Sequence, residues 1–342
     1  MAKVLLPKDY VRWRLTGEYA SDVSDAAGTL WLDTQARRWS SDALAACALR
    51  EAQMPSVFEG CAVTGTLKPD VAAALGLRRV IVAAGAGDNA AGAISAGVIS
   101  TGQAMLSLGT SGVIFVADDR YRPNPASGVH LFCHALPELW HEMSVMLSAA
   151  GAVDWAVGTL GLRDAAQLHE LAQSRGAPCR TEFFLPYLTG ERTPHNDPLA
   201  QGVFFGLTAS TDRASLAQAV LEGVAFGLAD GLLALKTTGC RINTLTVIGG
   251  GARSTYWGRI LAAVLDAPLV YRESATVGPA VGAARLARLA LTGEDPAVVC
   301  HAPQPISVIE AEPSLRARYA PRLARFRTLY PAFAPLYREN HS

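Results

Sequence analysis

The run from Ala217 to Leu235 is the most apolar long segment of the chain, and it carries two acids, Glu222 and Asp230. Inside a bilayer each such carboxylate would cost about 2.5–3.5 kcal/mol, so the run reads as a buried helix of a water-soluble protein. Its start is signalled by a cap candidate at Thr211 or Asp212, its end by Gly239, a left-handed stop. A helix of that kind needs a large core around it. The chain has 342 residues, half of them hydrophobic, enough for such a core and for roughly two domains.

The charge balance narrows the partners. Lys plus Arg and Asp plus Glu number 30 each, which argues against a nucleic-acid or membrane-surface partner. Six cysteines are scattered without a C-x-x-C pair, as in reduced cytoplasmic thiols. The opening M-A-K-V-L-L-P-K-D-Y has too short an apolar run for a signal peptide and is cut by Pro7.

The first 80 residues are mainly helical in pattern, at 9–18 and 40–49, with Ser-, Asp- and Gly-rich loops between. R-V-I-V-A at 79–83 predicts a buried strand that breaks into Gly85 and Gly87 before a helix of small residues. Strand-like runs at 103–108 and 113–116 flank G-T-S-G, a hairpin, and those at 129–135 and 140–146 flank L-P-E-L. A polar loop spans Leu188 to Gly202. A strand at 244–248, the turn G-G-G and a helix from Ser254 to Leu265 follow. The tail from Pro313 is a basic amphipathic helix. Alternating strands and helices with inserted hairpins indicate an α/β fold with a mixed sheet.

Three glycine-rich turns carry the chemistry. In V-I-G-G-G-A-R-S, strand, glycine turn and helix would present backbone N–H groups to a phosphate, or form a plain tight turn. The dinucleotide fingerprint is not met, because Ser254 stands at the third glycine, and no Walker lysine follows. In L-G-T-S-G, Gly109 and Gly112 can turn the chain while Thr110 and Ser111 offer hydroxyls and amides to an anion. An ordinary hairpin is the alternative. In A-G-A-G-D-N-A-A-G-A, Asp88 is a lone carboxylate among hydrogens and methyls. It either caps a helix, which local chemistry favours, or acts as general base for an alcohol attacking phosphorus. Asn89 beside it can hydrogen-bond a sugar hydroxyl.

Two other features are weaker. His130, Cys133, His134 and His141 superficially suggest a metal cluster, but in a strand Cys133 points away from His130 and His134. Five arginines of the C-terminal helix (316, 318, 322, 325 and 327) are interleaved with Tyr319, Phe326 and Tyr330. That pattern predicts a docked helix with a solvated basic face rather than an RNA-binding one.

Taken together the motifs resemble those of the FGGY carbohydrate kinases, and within them the members acting on D-xylulose. The resembling stretches include K-V-L-L-P-K-D-Y, S-D-A-A-G-T-L-W-L-D, G-D-N-A-A-G-A, Q-A-M-L-S-L-G-T-S-G, G-E-R-T-P-H-N and I-G-G-G-A-R-S. The resemblance implies an actin-like ATPase (ribonuclease H-like) fold of two domains about a cleft. ATP with Mg²⁺ would bind there and pass a phosphoryl group to the 5-hydroxyl of D-xylulose. It makes Asp88 the catalytic base and the candidate Mg²⁺ contact, and Asp88 with Asn89 the sugar-contacting pair. Gly109, Thr110 and Ser111 then form one phosphate loop, Gly250, Gly251 and Ala252 the nucleotide turn, and Thr255 lies near the adenine. A homodimer is among the assemblies it allows.

The sequence also departs from the family pattern. The D-x-G-T-[ST]-x-x-K loop, the W-x-D-x-R region and the Met–His sugar contacts have no counterpart here. Ser215 stands where an acidic or amide residue is usual, and Thr255 where some relatives have Asn. About 145 residues would hold the missing motifs, a domain's worth of chain. Residues 1–84 then read as the C-terminal remnant of a partial first domain, and 85–342 as a complete second domain. Losing even 1,000 Å² of apolar burial costs roughly 25 kcal/mol, so the remnant is expected to be poorly stable unless the missing part is supplied in trans. Two alternatives stay open: a kinase for another sugar or polyol, and a non-catalytic fragment that binds nucleotide weakly.

Overall fold

A seven-stranded mixed sheet organises the molecule. The computed structural model describes residues 2–78, 80–273 and 278–339, and among these the sheet runs in the order Pro305–Ile309, Leu269–Arg272, Leu245–Ile248, Ala104–Leu108, Gly112–Asp118, Trp140–Met146, His130–Cys133. Leu245–Ile248 is parallel to both of its neighbours, and the remaining pairs are antiparallel. Both expected hairpins form, Leu108 pairing with Gly112 and Trp140 with Cys133.

Side chains alternate between the two faces of this sheet. Leu106, Leu108, Ile114 and Val116 turn to the large core around the central helix, Arg213–Thr237. Met105, Val113, Phe115 and Ala117 turn the other way, onto Ala93 and Ala96 of the Asp88–Ala96 helix. Helices therefore cover both faces, and the two lie on opposite sides. On the outer side of the Asp88–Ala96 helix packs Pro279–Thr292. A Cβ on Gly282 there would lie 1.8 Å from the Ala91 carbonyl oxygen, so the helices touch backbone to backbone.

The central helix is buried along almost its whole length, as its composition requires. Asp212, not Thr211, is its N-cap and accepts from the Ser215 amide at 2.8 Å. Glu222 and Asp230 are each paired with an arginine of the C-terminal helix, Pro313–Glu339. Arg316, Arg318, Arg325 and Arg327 are exposed, in keeping with a solvated basic face, and Arg322 is the exception. Arg322 is 8% exposed and donates to Glu222 and to the carbonyl oxygens of Arg180 and Glu182, while Arg327 reaches Asp230 at 2.6 Å. Arg322 turns inward because the central helix has a buried carboxylate, Glu222, to neutralise.

The first 84 residues are less helical than their pattern suggests. Three two-stranded sheets pair Ala20–Asp22 with Ser56–Phe58, Leu32–Asp33 with Arg38–Trp39, and Val63–Thr66 with Ile81–Ala83. Strands of two to four residues leave too short an alternation to read from sequence. The helices Pro7–Thr16 and Ser41–Ala46 fall where expected. The strand expected from residue 79 begins at Ile81, and Arg79 lies outside the described residues.

Candidate active site

Two of the glycine turns come together. The strand Leu245–Ile248 ends in Gly249 with φ +94°, passes through a single 3-10 turn at Gly250–Arg253 and enters the helix Thr255–Leu265. A Cβ on Gly249 would lie 2.6 Å from the Leu108 carbonyl oxygen, and one on Gly251 3.1 Å from the Leu108 Cβ. These two glycines let the turn press against the end of the neighbouring strand, beside the hairpin loop of Gly109, Thr110 and Ser111. Gly250 differs. A Cβ there would meet nothing within 4 Å, so its backbone is open. Ser254, which breaks the dinucleotide pattern, is the helix N-cap, accepting from the Trp257 amide at 3.2 Å.

The hairpin loop is held from its other side. The Thr110 carbonyl oxygen accepts from Ala149 at 2.8 Å and Gly151 at 3.1 Å, and the Gly109 carbonyl oxygen from Ala150 at 2.9 Å. These amides open the helix Ala150–Thr159, so the loop serves as its cap. Gly109, Thr110, Gly250 and Gly251 all line one cavity of about 700 Å³. Its volume is in the range of small-molecule sites. Thr255 lines a second cavity of about 420 Å³ with Tyr271 and Arg272, and Gly250 borders both. Ser111 and Asp88 with Asn89 line neither. Of Ala252 only the backbone, within the 3-10 turn, is described.

Sequence reasoning did not find the rest of the large cavity's wall. Asp154, His169, Arg253 and Trp257 contribute to it. Burial lowers the His169 pKa, which favours the neutral ring. Asp154 lies on the helix Ala150–Thr159 and His169 on the helix Ala165–Gln173, with no spacing that links them to a glycine turn. Only the packing brings them there.

Asp88 occupies the first turn of the Asp88–Ala96 helix, but Gly87 is the N-cap, so the aspartate is not the capping residue. Its side chain is exposed. Its Oδ1 accepts from the Asn89 amide at 2.7 Å and from Asn89 Nδ2 at 3.1 Å. An exposed carboxylate in a helix's first turn is favourably placed in the helix dipole and open to a ligand.

The histidines have structural work to do. The Leu136 amide donates to His134 Nδ1 at 3.1 Å, so Nε2 carries the proton and donates to the Val98 carbonyl oxygen, also at 3.1 Å. Burial lowers the His134 pKa to about 4 and keeps the ring neutral. His141 stacks on Phe115 at 4.2 Å between ring centres, and burial holds its pKa well below the ordinary value.

Comparison with known proteins adds the family. The profile of the N-terminal domain of the FGGY family of carbohydrate kinases matches residues 1–95, and that of its C-terminal domain matches residues 104–291. The chain belongs to the FGGY family of carbohydrate kinases. It is 51% identical to the xylulose kinase of Escherichia coli K12 over 335 residues, 98% of this chain and 69% of that protein. The xylulose kinase of Klebsiella pneumoniae is 49% identical with the same coverage. Among solved structures, a xyloylose kinase from Brucella ovis superposes with a TM-score of 0.95 at 50% identity, covering 98% of this chain and 69% of that one. A gluconate kinase from Lactobacillus acidophilus follows at 0.91 and 27%, covering 99% and 69%. These neighbours are sugar kinases of the actin-like ATPase fold, which is the fold of this chain. As an FGGY carbohydrate kinase, the chain is an enzyme that uses ATP.

Proposed function

We propose that the chain carries out ATP-dependent phosphorylation of D-xylulose to D-xylulose 5-phosphate. The observation that carries the reading is the junction of the Gly109–Thr110 and Gly250–Gly251 turns on one cavity, in a chain half identical to two xylulose kinases. In this reading the turns grip the ATP phosphates through backbone amides, and Thr255 lies toward the base. Asp88 accepts the proton of the 5-hydroxyl as its oxygen attacks the γ-phosphorus, and ADP departs. Asn89 steadies the Asp88 carboxylate and reaches a sugar hydroxyl.

Mg²⁺ suits this arrangement. No cluster of three or more metal-ligating side chains occurs among the described residues, and Mg²⁺ on a nucleotide is held mainly by phosphates and water with one or two carboxylates. Asp88 is the carboxylate we assign to it; the ion would neutralise charge on the transferring phosphoryl group. We place the domain division at residues 84 and 85. The Asp88–Ala96 helix packs on the second domain's sheet although the family's N-terminal match extends through it.

The test is a coupled ADP-release assay with D-xylulose, and with D-gluconate and glycerol as competing acceptors. D-xylulose is expected to give the highest kcat/KM. Asp88→Asn should lower kcat by about a hundredfold or more with little change in nucleotide affinity. Full turnover in that variant would remove Asp88 from the mechanism, and preference for another acceptor would reassign the sugar.

A further inference from the structure

Asp88 is exposed, and among the described residues its side-chain hydrogen bonds go to its own neighbour Asn89, so packing does not aim it. Its direction must come from the backbone that leads into it. That backbone is tied down at three points. Arg12, 6% exposed, donates to the Ala84 carbonyl oxygen. The Gly85 amide donates to the Gly60 carbonyl oxygen at 2.9 Å. The Gly87 amide, immediately before Asp88, donates to Ser24 Oγ at 3.1 Å.

The last tie is fixed from behind. Ser24 donates its single hydroxyl hydrogen to Asp22 Oδ2 at 2.5 Å, leaving only lone pairs to face Gly87. Asp22 is itself immobilised. Its Oδ2 caps the short helix Val23–Ala26, accepting from the Ser24 and Asp25 amides, and its Oδ1 lies 2.7 Å from Lys8 Nζ. Lys8 also meets Asp9 at 2.7 Å and Asp25 at 3.2 Å, and Arg12 meets Asp9 at 3.4 Å. The side chains of Asp9 and Asp22 are fully buried.

Buried ionic clusters contribute little net stability, because desolvation offsets most of the attraction. What they supply is direction. Here the direction runs outward from Lys8 and Asp22 through Ser24 to the amide preceding Asp88. We propose that Ser24, oriented by Asp22 and Lys8, is a positioning residue for Asp88; the inference rests on the reading of Asp88 as the base. It assigns residues 1–84 a role in catalysis without contact with either substrate.

The experiment compares wild type with Ser24→Ala by amide hydrogen exchange and by steady-state kinetics, with Asp88→Asn in parallel. Exchange at residues 84–89 should quicken about tenfold while the strands at 104–118 keep their wild-type rates. Turnover should fall about tenfold with KM for ATP unchanged, because a shift in the base acts on the chemical step and not on nucleotide binding. Wild-type exchange at 84–89 would overturn the proposal. So would faster local exchange with undiminished turnover, which leaves Asp88 as base but shows that Ser24 does not aim it. If Ser24→Ala loses its fold, Ser24→Cys keeps the volume and replaces the oxygen by a poor acceptor, and the same two outcomes decide. Full turnover in Asp88→Asn would instead overturn the base reading, with the exchange result standing independently.

Discussion

Glu191 and Asp88 show how differently two carboxylates of one chain are governed. Asp88 is exposed and directed by its backbone. Glu191 is 3% exposed, and burial raises its pKa to about 7 although it accepts from the Leu147 and Arg192 amides. The folded-state value lies above that of the unfolded chain, so folding takes up a proton between about pH 4.5 and 7. The stability this protonation contributes is fully present below the unfolded value and is lost as pH rises through about 7. Glu191→Gln should therefore gain stability relative to wild type as pH rises from 5 to 8, read as a widening difference in melting temperature. A constant difference would mean that Glu191 is ionised throughout. The G-E-R-T-P-H-N stretch was legible as a family motif, but the burial of its acid was not. One of the amides it accepts from, that of Leu147, is remote in sequence.

At the level of elements, the central and C-terminal helices form one electrostatic unit. Glu222 is fully buried. Burial drives its pKa up, while Arg322, Gln218 and the Cys179 amide oppose the shift. Removing only the arginine would strand a carboxylate in the core. Arg322→Met should cost about 3–5 kcal/mol in urea unfolding, and adding Glu222→Gln should recover a substantial part of it. Additive losses would mean that the two side chains are not coupled. From sequence the acids at 222 and 230 argued against a membrane span, and the arginines read as a solvated face. Each half was visible, but the pairing was not, because it joins residues about a hundred positions apart. The strands around the glycine turns were legible for the opposite reason: their alternation and their turn residues are local.

Across the whole molecule, apolar burial is unevenly shared. The core around the sheet and central helix draws on side chains from Ala104 to Tyr337. The core of the first 84 residues is a small cluster built on Val23, Leu32, Trp39, Leu44 and Met54. Opening free energies follow such differences. Amide exchange should show lower protection at 20–66 than at 104–118 and 213–237; equal protection throughout would mean that the two regions open as one unit.

The sequence by itself determined the regular elements of the second region, the glycine turns and the burial of the 217–235 helix, because each depends on periodicity or on the conformational demands of single residues. Tertiary structure alone decided which turns share a cavity, which acids find arginines and how the backbone before Asp88 is anchored. Those outcomes depend on contacts between segments far apart in the chain, and no local pattern of side chains encodes which distant partner a buried polar group will meet.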